Sequence, residues 1–424
     1  MTWADFTRAA DAILDAAVRG AGVGAAGASG SASVPGVIAL VTDRTGTIYE
    51  GARGVRVVGG EPMTMDTVVA LYSATKAITA TAAVRLAERG VLDLDREASA
   101  YAPYLGEVEV VVSLDPDGSP RLRPPRTIPT TRQLLTHTAG FGYDFTNRTY
   151  AALARAGRQP PIAVATRAAL TTPLLADPGT RWEYGSNLDW VGQVIEGATG
   201  RRLGAVLTEE VLGPLGMTDT AFVLGGDRAR RAATVHHRLP DGTARPARAG
   251  LPTHPEIDMG GHGLFGTVPD YGRFLRFWLG DGAPLLSARA HADALADHLP
   301  PGCRVTPVQG TDARLCTELD LFPGVATSWS LPFLRTDEPI PAGPAAGSLG
   351  WAGLANLFYW IDRESGIAGL WATQILPLGD PAAVAGFRAF QAAVYAARPG
   401  PPAPPSDPEG AGLRTKRPGD GPLL

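Results

Sequence analysis

Lysine is nearly missing from this chain: of 38 basic residues among 424, only Lys76 and Lys416 are lysines and the rest are arginines. Arginine cannot lose its proton in a protein, whereas a desolvated lysine ammonium can become a neutral amine. Proton transfer by a basic aliphatic side chain is therefore confined to two positions. Lys416 lies in 399–424, a Pro/Gly-rich tail without apolar anchors that is expected to be disordered. Lys76 is then the one lysine expected in the folded body.

Other shortages narrow the field further. Only two cysteines occur, Cys303 and Cys316, in a loop-like stretch without a second ligand pair. This argues against a metal site and favours two free thiols over a disulfide. His236-His237 likewise has no partner at metal-ligand spacing. No window approaches ~18 uninterrupted apolar residues, so no transmembrane helix is expected. Segment 1–20 has neither a basic start nor an apolar run. Trp3, Phe6, Ala10, Ile13 and Ala17 recur there at helical spacing, with Thr2 available as a cap and Gly20 as a terminator. The segment reads as an amphipathic helix rather than a signal peptide, and the chain as cytoplasmic. A basic stripe is also lacking. Net charge is −4 with both signs interspersed, which excludes nucleic acid and membrane as expected partners.

What is present suffices for a sizeable core, with 45% hydrophobic and 19% charged residues. A Gly/Ala/Ser linker over 21–33 precedes a hairpin, in which Val37-Ile38-Ala39-Leu40-Val41 and Thr47-Ile48-Tyr49 flank Asp43-Arg44-Thr45-Gly46. Residues 73–89 follow an Ala-rich helical pattern that ends at Gly90. Helices are predicted at 131–137, 162–171, 187–198, 203–213 and 270–279. Strands are predicted at 354–361 and 367–373, and a last helix at about 381–398. Strands at both ends with helices between them suggest a split α/β domain, 1–70 with 281–398, and a mainly helical domain over 71–280. The active site would lie in the cleft between them.

Three segments carry chemistry. Ser73-Ala74-Thr75-Lys76 puts a hydroxyl at a helix start and an amine one turn on, on the same face. The helix N-terminus stabilises a developing alkoxide, and a desolvated Lys76 is a base for it. Serine is also a favoured N-cap, and this spacing arises by chance about one time in fifteen at this composition. In Glu183-Tyr184-Gly185-Ser186-Asn187-Leu188-Asp189-Trp190, a short extended piece delivers Tyr184 just before a helix capped by Ser186 or Asn187. Tyr184 fits a phenolate base beside an ammonium, or a packed aromatic with a polar tip. The third segment, Gly347-Ser348-Leu349-Gly350-Trp351-Ala352-Gly353-Leu354, fits an edge strand with a free N–H for an acyl oxygen, or an ordinary Gly-rich turn. It misses the first glycine of a Gly-x-Ser-x-Gly elbow, so Ser348 is read as non-nucleophilic.

These segments, in this order, resemble the serine β-lactamase-related family, above all class C β-lactamase-like esterases and the lovastatin-pathway acyltransferase. Val34-Pro35-Gly36, Leu134-Leu135-Thr136-His137-Thr138-Ala139-Gly140 and Gly260-Gly261-His262-Gly263-Leu264 support the likeness, which covers about 5–397. It implies an α/β (α+β) β-lactamase/penicillin-binding-protein-like fold, an antiparallel sheet flanked by helices with an inserted all-α domain. It implies Ser73 as nucleophile, Lys76 and Tyr184 as shared acid/base, and the N–H groups of Ser73 and Leu354 as oxyanion hole. Trp351, Gly353, Asn187 and His262 are the candidate substrate contacts, His262 fitting a structural loop role equally well, and His137 a structural hydrogen bond.

Two departures narrow the substrate. Trp351-Ala352-Gly353 stands where β-lactamases carry Lys-Thr-Gly, so no lysine is left to bind a substrate carboxylate. Ser186 stands where class C enzymes carry Asn, and Asn187 follows one residue later. The expected function is a serine hydrolase that forms an acyl-enzyme on Ser73 from a small-molecule ester or thioester and passes the acyl group to water. The rival is a biosynthetic transacylase with an alcohol or amine acceptor, and a carrier-bound thioester is a further possible donor. A β-lactamase, a D-Ala peptidase or a non-catalytic binding relative fits less well. No metal or organic cofactor is needed.

Overall fold

The computed structural model describes residues 3–19, 33–248 and 250–397. The tail 399–424 with Lys416, all of the linker but Ser33, and the end residues Thr2 and Gly20 lie outside the described residues. Seven strands form one antiparallel sheet: β1 (Gly36–Asp43), β2 (Thr47–Gly54), β3 (Thr327–Trp329), β4 (Leu334–Thr336), β5 (Leu349–Gly353), β6 (Leu357–Asp362) and β7 (Ile367–Thr373). Their order is β2-β1-β7-β6-β5-β4-β3. The β1–β2 turn is held by Asp43, whose Oδ1 accepts from the N–H groups of Thr45 and Gly46 at 2.7 and 2.9 Å. Every residue of β5, β6 and β7 is buried. That is why these strands are apolar throughout instead of alternating: helices cover both faces.

On one face lie α1 (Trp3–Arg19) and the last helix, Pro381–Ala397. Phe6 of α1 meets Tyr49 and Phe390 at centroid distances of 5.5 and 6.0 Å, and Phe387 stacks on Phe358 at 4.9 Å. On the other face lies a helix over Val268–Leu279, whose Tyr271 contacts Tyr359 at 5.2 Å. This helix falls within the stretch read as the helical block, yet it packs on β1 and β7. Its buried Val268, Tyr271, Leu275 and Trp278 recur at the spacing of one helical face.

The helical region centres on α2 (Thr75–Glu88) and α3 (Asn187–Thr199), which pack against each other and against Thr131–Leu135 and Leu203–Leu207. Most of α2 is buried all round, as its Ala/Thr-rich composition allows.

Three expected elements differ from the observed ones. The strand expected at 354–361 begins at Leu357, because residues 354–356 turn the β5–β6 hairpin. Asn356 sits there at φ 59° and donates to the carbonyls of Ile375 and Pro377 at 2.8 and 2.7 Å. The helix expected at 162–171 breaks into Ile162–Val164 and Arg167–Leu170, since Ala165 is left-handed at φ 52° and Thr166 caps anew. The helix expected at 203–213 ends its α-helical part at Leu207 and continues as a π-turn over Thr208–Leu212. Both cysteines are free. Among the described residues no helix is long and apolar enough to cross a membrane.

Candidate active site

Ser73 lies in the 3-10 turn Tyr72–Ala74, which runs directly into the N-terminus of α2. Tyr72 is held at φ 47°, a left-handed conformation that costs a bulky residue about 1–2 kcal/mol. Neighbouring elements pin the turn: Leu71 N donates to Leu264 O at 2.9 Å, and Tyr271 Oη donates to Ala74 O at 3.0 Å. Neither the turn nor α2 has a side-chain cap. The Ser73 hydroxyl is engaged elsewhere.

Two groups converge on it. Tyr184 Oη donates to Ser73 Oγ at 2.7 Å, and Lys76 Nζ lies 3.1 Å from the same oxygen. Lys76 Nζ has two further neighbours, Gly261 O at 2.7 Å and Tyr143 Oη at 3.0 Å. Tyr143 in turn donates to Asp189 Oδ2 at 3.1 Å, and Gly261 N donates to Asp189 Oδ1 at 2.7 Å. The proton inventory follows. Gly261 O can only accept, and the Tyr143 proton is committed to a carboxylate. A neutral Lys76 amine therefore spends both N–H bonds on these two oxygens, and its lone pair faces Ser73 Oγ.

Electrostatics agree with this arrangement. Burial lowers the Lys76 ammonium from its ordinary value to about 7, although nearby Asp189 works in the opposite direction. Burial alone would raise the Asp189 carboxyl, but His262, Lys76 and the Gly261 N–H together hold it below the usual range. Burial also pushes the Tyr184 phenol well up, despite the hydrogen bonds to Ser73 and Trp351. Tyr184 thus rests as a neutral phenol, not as the phenolate its sequence context suggested.

The end of β5 supplies the opposite wall. Trp351 Nε1 donates to Tyr184 Oη at 3.1 Å, occupying the phenol oxygen's lone pair and leaving its proton for Ser73. Gly353 lies so near Leu71 that a Cβ would stand 2.5 Å from its carbonyl oxygen. That close approach brings Leu354 to the cavity that Ser73 borders. The cavity is narrow, about 10 Å³, with Phe145, Val308, Leu319 and Leu378 as apolar walls; among the described residues lining it, none is charged. Two larger hollows, one beside Trp190 and one beside Arg388, do not touch Ser73.

Ser73, Lys76, Tyr184, Trp351 and Leu354 are thus brought together, with Gly353 setting the approach. Asn187 is not brought into the cavity. It is fully buried, and its amide donates to Phe141 O and Glu183 O and faces His137 Nδ1, all at 3.1 Å. Burial, with Lys76 nearby, keeps His137 far below its ordinary value and hence neutral. Ser186 holds the N-cap position of α3 without a side-chain cap bond. His262 lies outside the cavity lining, with Nδ1 3.1 Å from Asp189 Oδ1 but outside hydrogen-bond geometry. Ser348 is buried at the start of β5 and also outside the lining. Among the described residues no His/Cys/Asp/Glu group could hold a metal ion.

Tyr143, Asp189 and the carbonyl of Gly261 escaped the sequence reading. The aromatic-glycine run Phe141-Gly142-Tyr143-Asp144-Phe145 was an available signal for the first. Asp189 lies five residues after Tyr184, in a segment whose chemical signal is the tyrosine.

The chain is also similar to known proteins. A family model described as Beta-lactamase matches residues 11–394. Lovastatin esterase of Penicillium rubens is 32% identical over 365 residues, covering 81% of this chain and 90% of that protein. Monacolin J acid methylbutanoyltransferase of Aspergillus terreus is 30% identical over 392 residues, covering 86% and 92%. The solved structure of unliganded simvastatin synthase from Aspergillus terreus matches with a TM-score of 0.76 at 27% identity, over 92% of this chain and 98% of that one. Matched nearly end to end, the chain belongs to the Beta-lactamase family, as an enzyme of its esterase and acyltransferase kind.

Proposed function

We propose that the protein is a serine esterase that carries an acyl group on Ser73 and passes it to water. The observation that carries this reading is the shared Ser73 hydroxyl, which accepts from Tyr184 Oη at 2.7 Å and lies 3.1 Å from the Lys76 amine, whose pKa burial lowers to about 7. In acylation, Ser73 Oγ bonds to the carbonyl carbon while its proton passes to Lys76 Nζ. The N–H groups of Ser73 and Leu354 receive the oxyanion. As the tetrahedral intermediate collapses, the C–O bond to the leaving alcohol breaks. Tyr184 gives the alkoxide its proton and is reprotonated from the Lys76 ammonium. Water then repeats the sequence in reverse.

The uncharged cavity supports a small, uncharged acyl donor, either an ester or a carrier-bound thioester. Transfer to a small-molecule alcohol or amine is the second reading. It is favoured by the 30% identity to an acyltransferase across most of both chains.

The test is labelling by a fluorophosphonate probe. Wild type should label, Ser73→Ala should not, and Lys76→Ala should label far more slowly. Unchanged labelling of Ser73→Ala would falsify the assignment. Adding alcohols or amines to a p-nitrophenyl butyrate assay separates the two readings, since transfer alone yields the acylated acceptor.

A further inference from the structure

A second chamber, with a mixed polar and apolar lining, lies behind the wall of the Ser73 cavity. It holds about 110 Å³ between residues 305–308, 319–322, Val325, Thr327 and Leu334, with Val305, Phe322, Val325 and Leu334 as apolar walls and Asp320 as its one charged residue. Three residues line both spaces: Val308, Leu319 and Trp351. Trp351 is committed, its indole N–H bonded to Tyr184 and its ring 4.9 Å from Trp329. The other two belong to an irregular strap that no sheet or helix demands.

Main-chain bonds hold that strap. Val308 and Leu319 pair through both N–H groups, to each other's carbonyls, at 3.0 and 2.9 Å. Thr311 N donates to Phe145 O at 2.8 Å, and Thr317 N to Leu378 O at 3.0 Å. The strap is thus tied to the two residues whose side chains form neighbouring walls of the cavity. Because backbone bonds fix its course, shortening a strap side chain opens space without releasing the strap.

Resting on the reading that Ser73 carries the acyl group, we infer that Val308 and Leu319 are its chain-length determinants. They close a narrow cavity of about 10 Å³ against a chamber of about 110 Å³ that would extend it. The wild-type enzyme accepts short acyl chains because this partition stops longer ones. Neither side chain carries a group that can transfer a proton, so the partition sets specificity without setting the chemistry.

The experiment compares kcat/KM for p-nitrophenyl butyrate and octanoate in wild type, Leu319→Ala, Val308→Ala, and Leu319→Ala combined with Val325→Phe. Wild type should prefer butyrate. Each truncation should raise the octanoate-to-butyrate ratio about tenfold or more, the usual scale for apolar pocket fit. Val325→Phe, which fills the chamber, should erase the gain. Ratios unchanged in both truncations, with butyrate turnover retained, overturn the inference. So does a gain seen instead when the alcohol of a butyrate ester is lengthened, which would give the chamber to the leaving group. Butyrate turnover that survives Ser73→Ala sinks the acyl-enzyme reading itself, whatever the ratios.

Discussion

Three oxygens surround the amine of Lys76, and their proton commitments decide what the amine can do. Only the neutral form has a lone pair for Ser73, and burial brings the pKa to about 7. As pH rises through that value the ammonium loses its proton and the base appears. kcat/KM should therefore climb with an apparent pKa near 7 and level off above it, as a pH–rate profile with an uncharged ester will show. Lys76→Arg keeps the charge but cannot deprotonate, so activity should fall by about 10²–10⁴-fold at every pH. A second residue-scale prediction concerns Trp351. Replacing its indole by phenyl, Trp351→Phe, keeps an aromatic wall but removes the donor to Tyr184 Oη. One lost hydrogen bond of ordinary worth predicts a fall in kcat of about tenfold with little change in KM.

At the scale of elements, the site depends on loops held against helices. The 260–264 loop reaches Lys76 only because it lies flush on α3. A Cβ at Gly261 would stand 2.5 Å from Asp189 Oδ2, well inside contact distance. Gly261→Ala should push the loop away, detach its carbonyl from Lys76 and unseat the Asp189–Gly261 bond. Fluorophosphonate labelling should slow at least about tenfold while far-UV circular dichroism stays unchanged. Normal labelling in that variant would mean that the carbonyl does not orient the amine. The nucleophile turn depends likewise on two layers, through Tyr271 of the sheet-facing helix and Leu264 of the loop.

For the whole molecule, the decisive fact is what the cleft does not offer. The end of β5 and the helical region close around an apolar cavity whose described lining carries no cation. A β-lactam brings a carboxylate that would have to enter unpaired, and an uncompensated charge in an apolar site is costly. Nitrocefin turnover should therefore trail p-nitrophenyl butyrate turnover by at least about 10³-fold in kcat/KM. Comparable rates would show that a cation reaches the site from elsewhere.

Local rules sufficed wherever a few consecutive residues set the outcome. The Asp43–Gly46 turn, the central strand over Ile367–Thr373 and the Ser73/Lys76 spacing at a helix start were all legible because each is a short-range pattern. The scarcity of lysine by itself singles out Lys76. Tertiary structure decided the rest. Tyr143 lies 67 residues from Lys76 in the chain and Gly261 lies 185 away, and no periodicity links such positions. Burial, a property of the packed molecule, lowers the lysine and keeps Tyr184 a phenol. Asn187, read as a substrate contact, spends its amide inside the helical region, because its burial depends on partners its neighbours in sequence do not reveal. The strap that walls the cavity has no pattern of its own and takes its course from bonds to Phe145 and Leu378. Sequence thus determined which side chains could do the chemistry, while folding determined their protonation, their supports and the space they face.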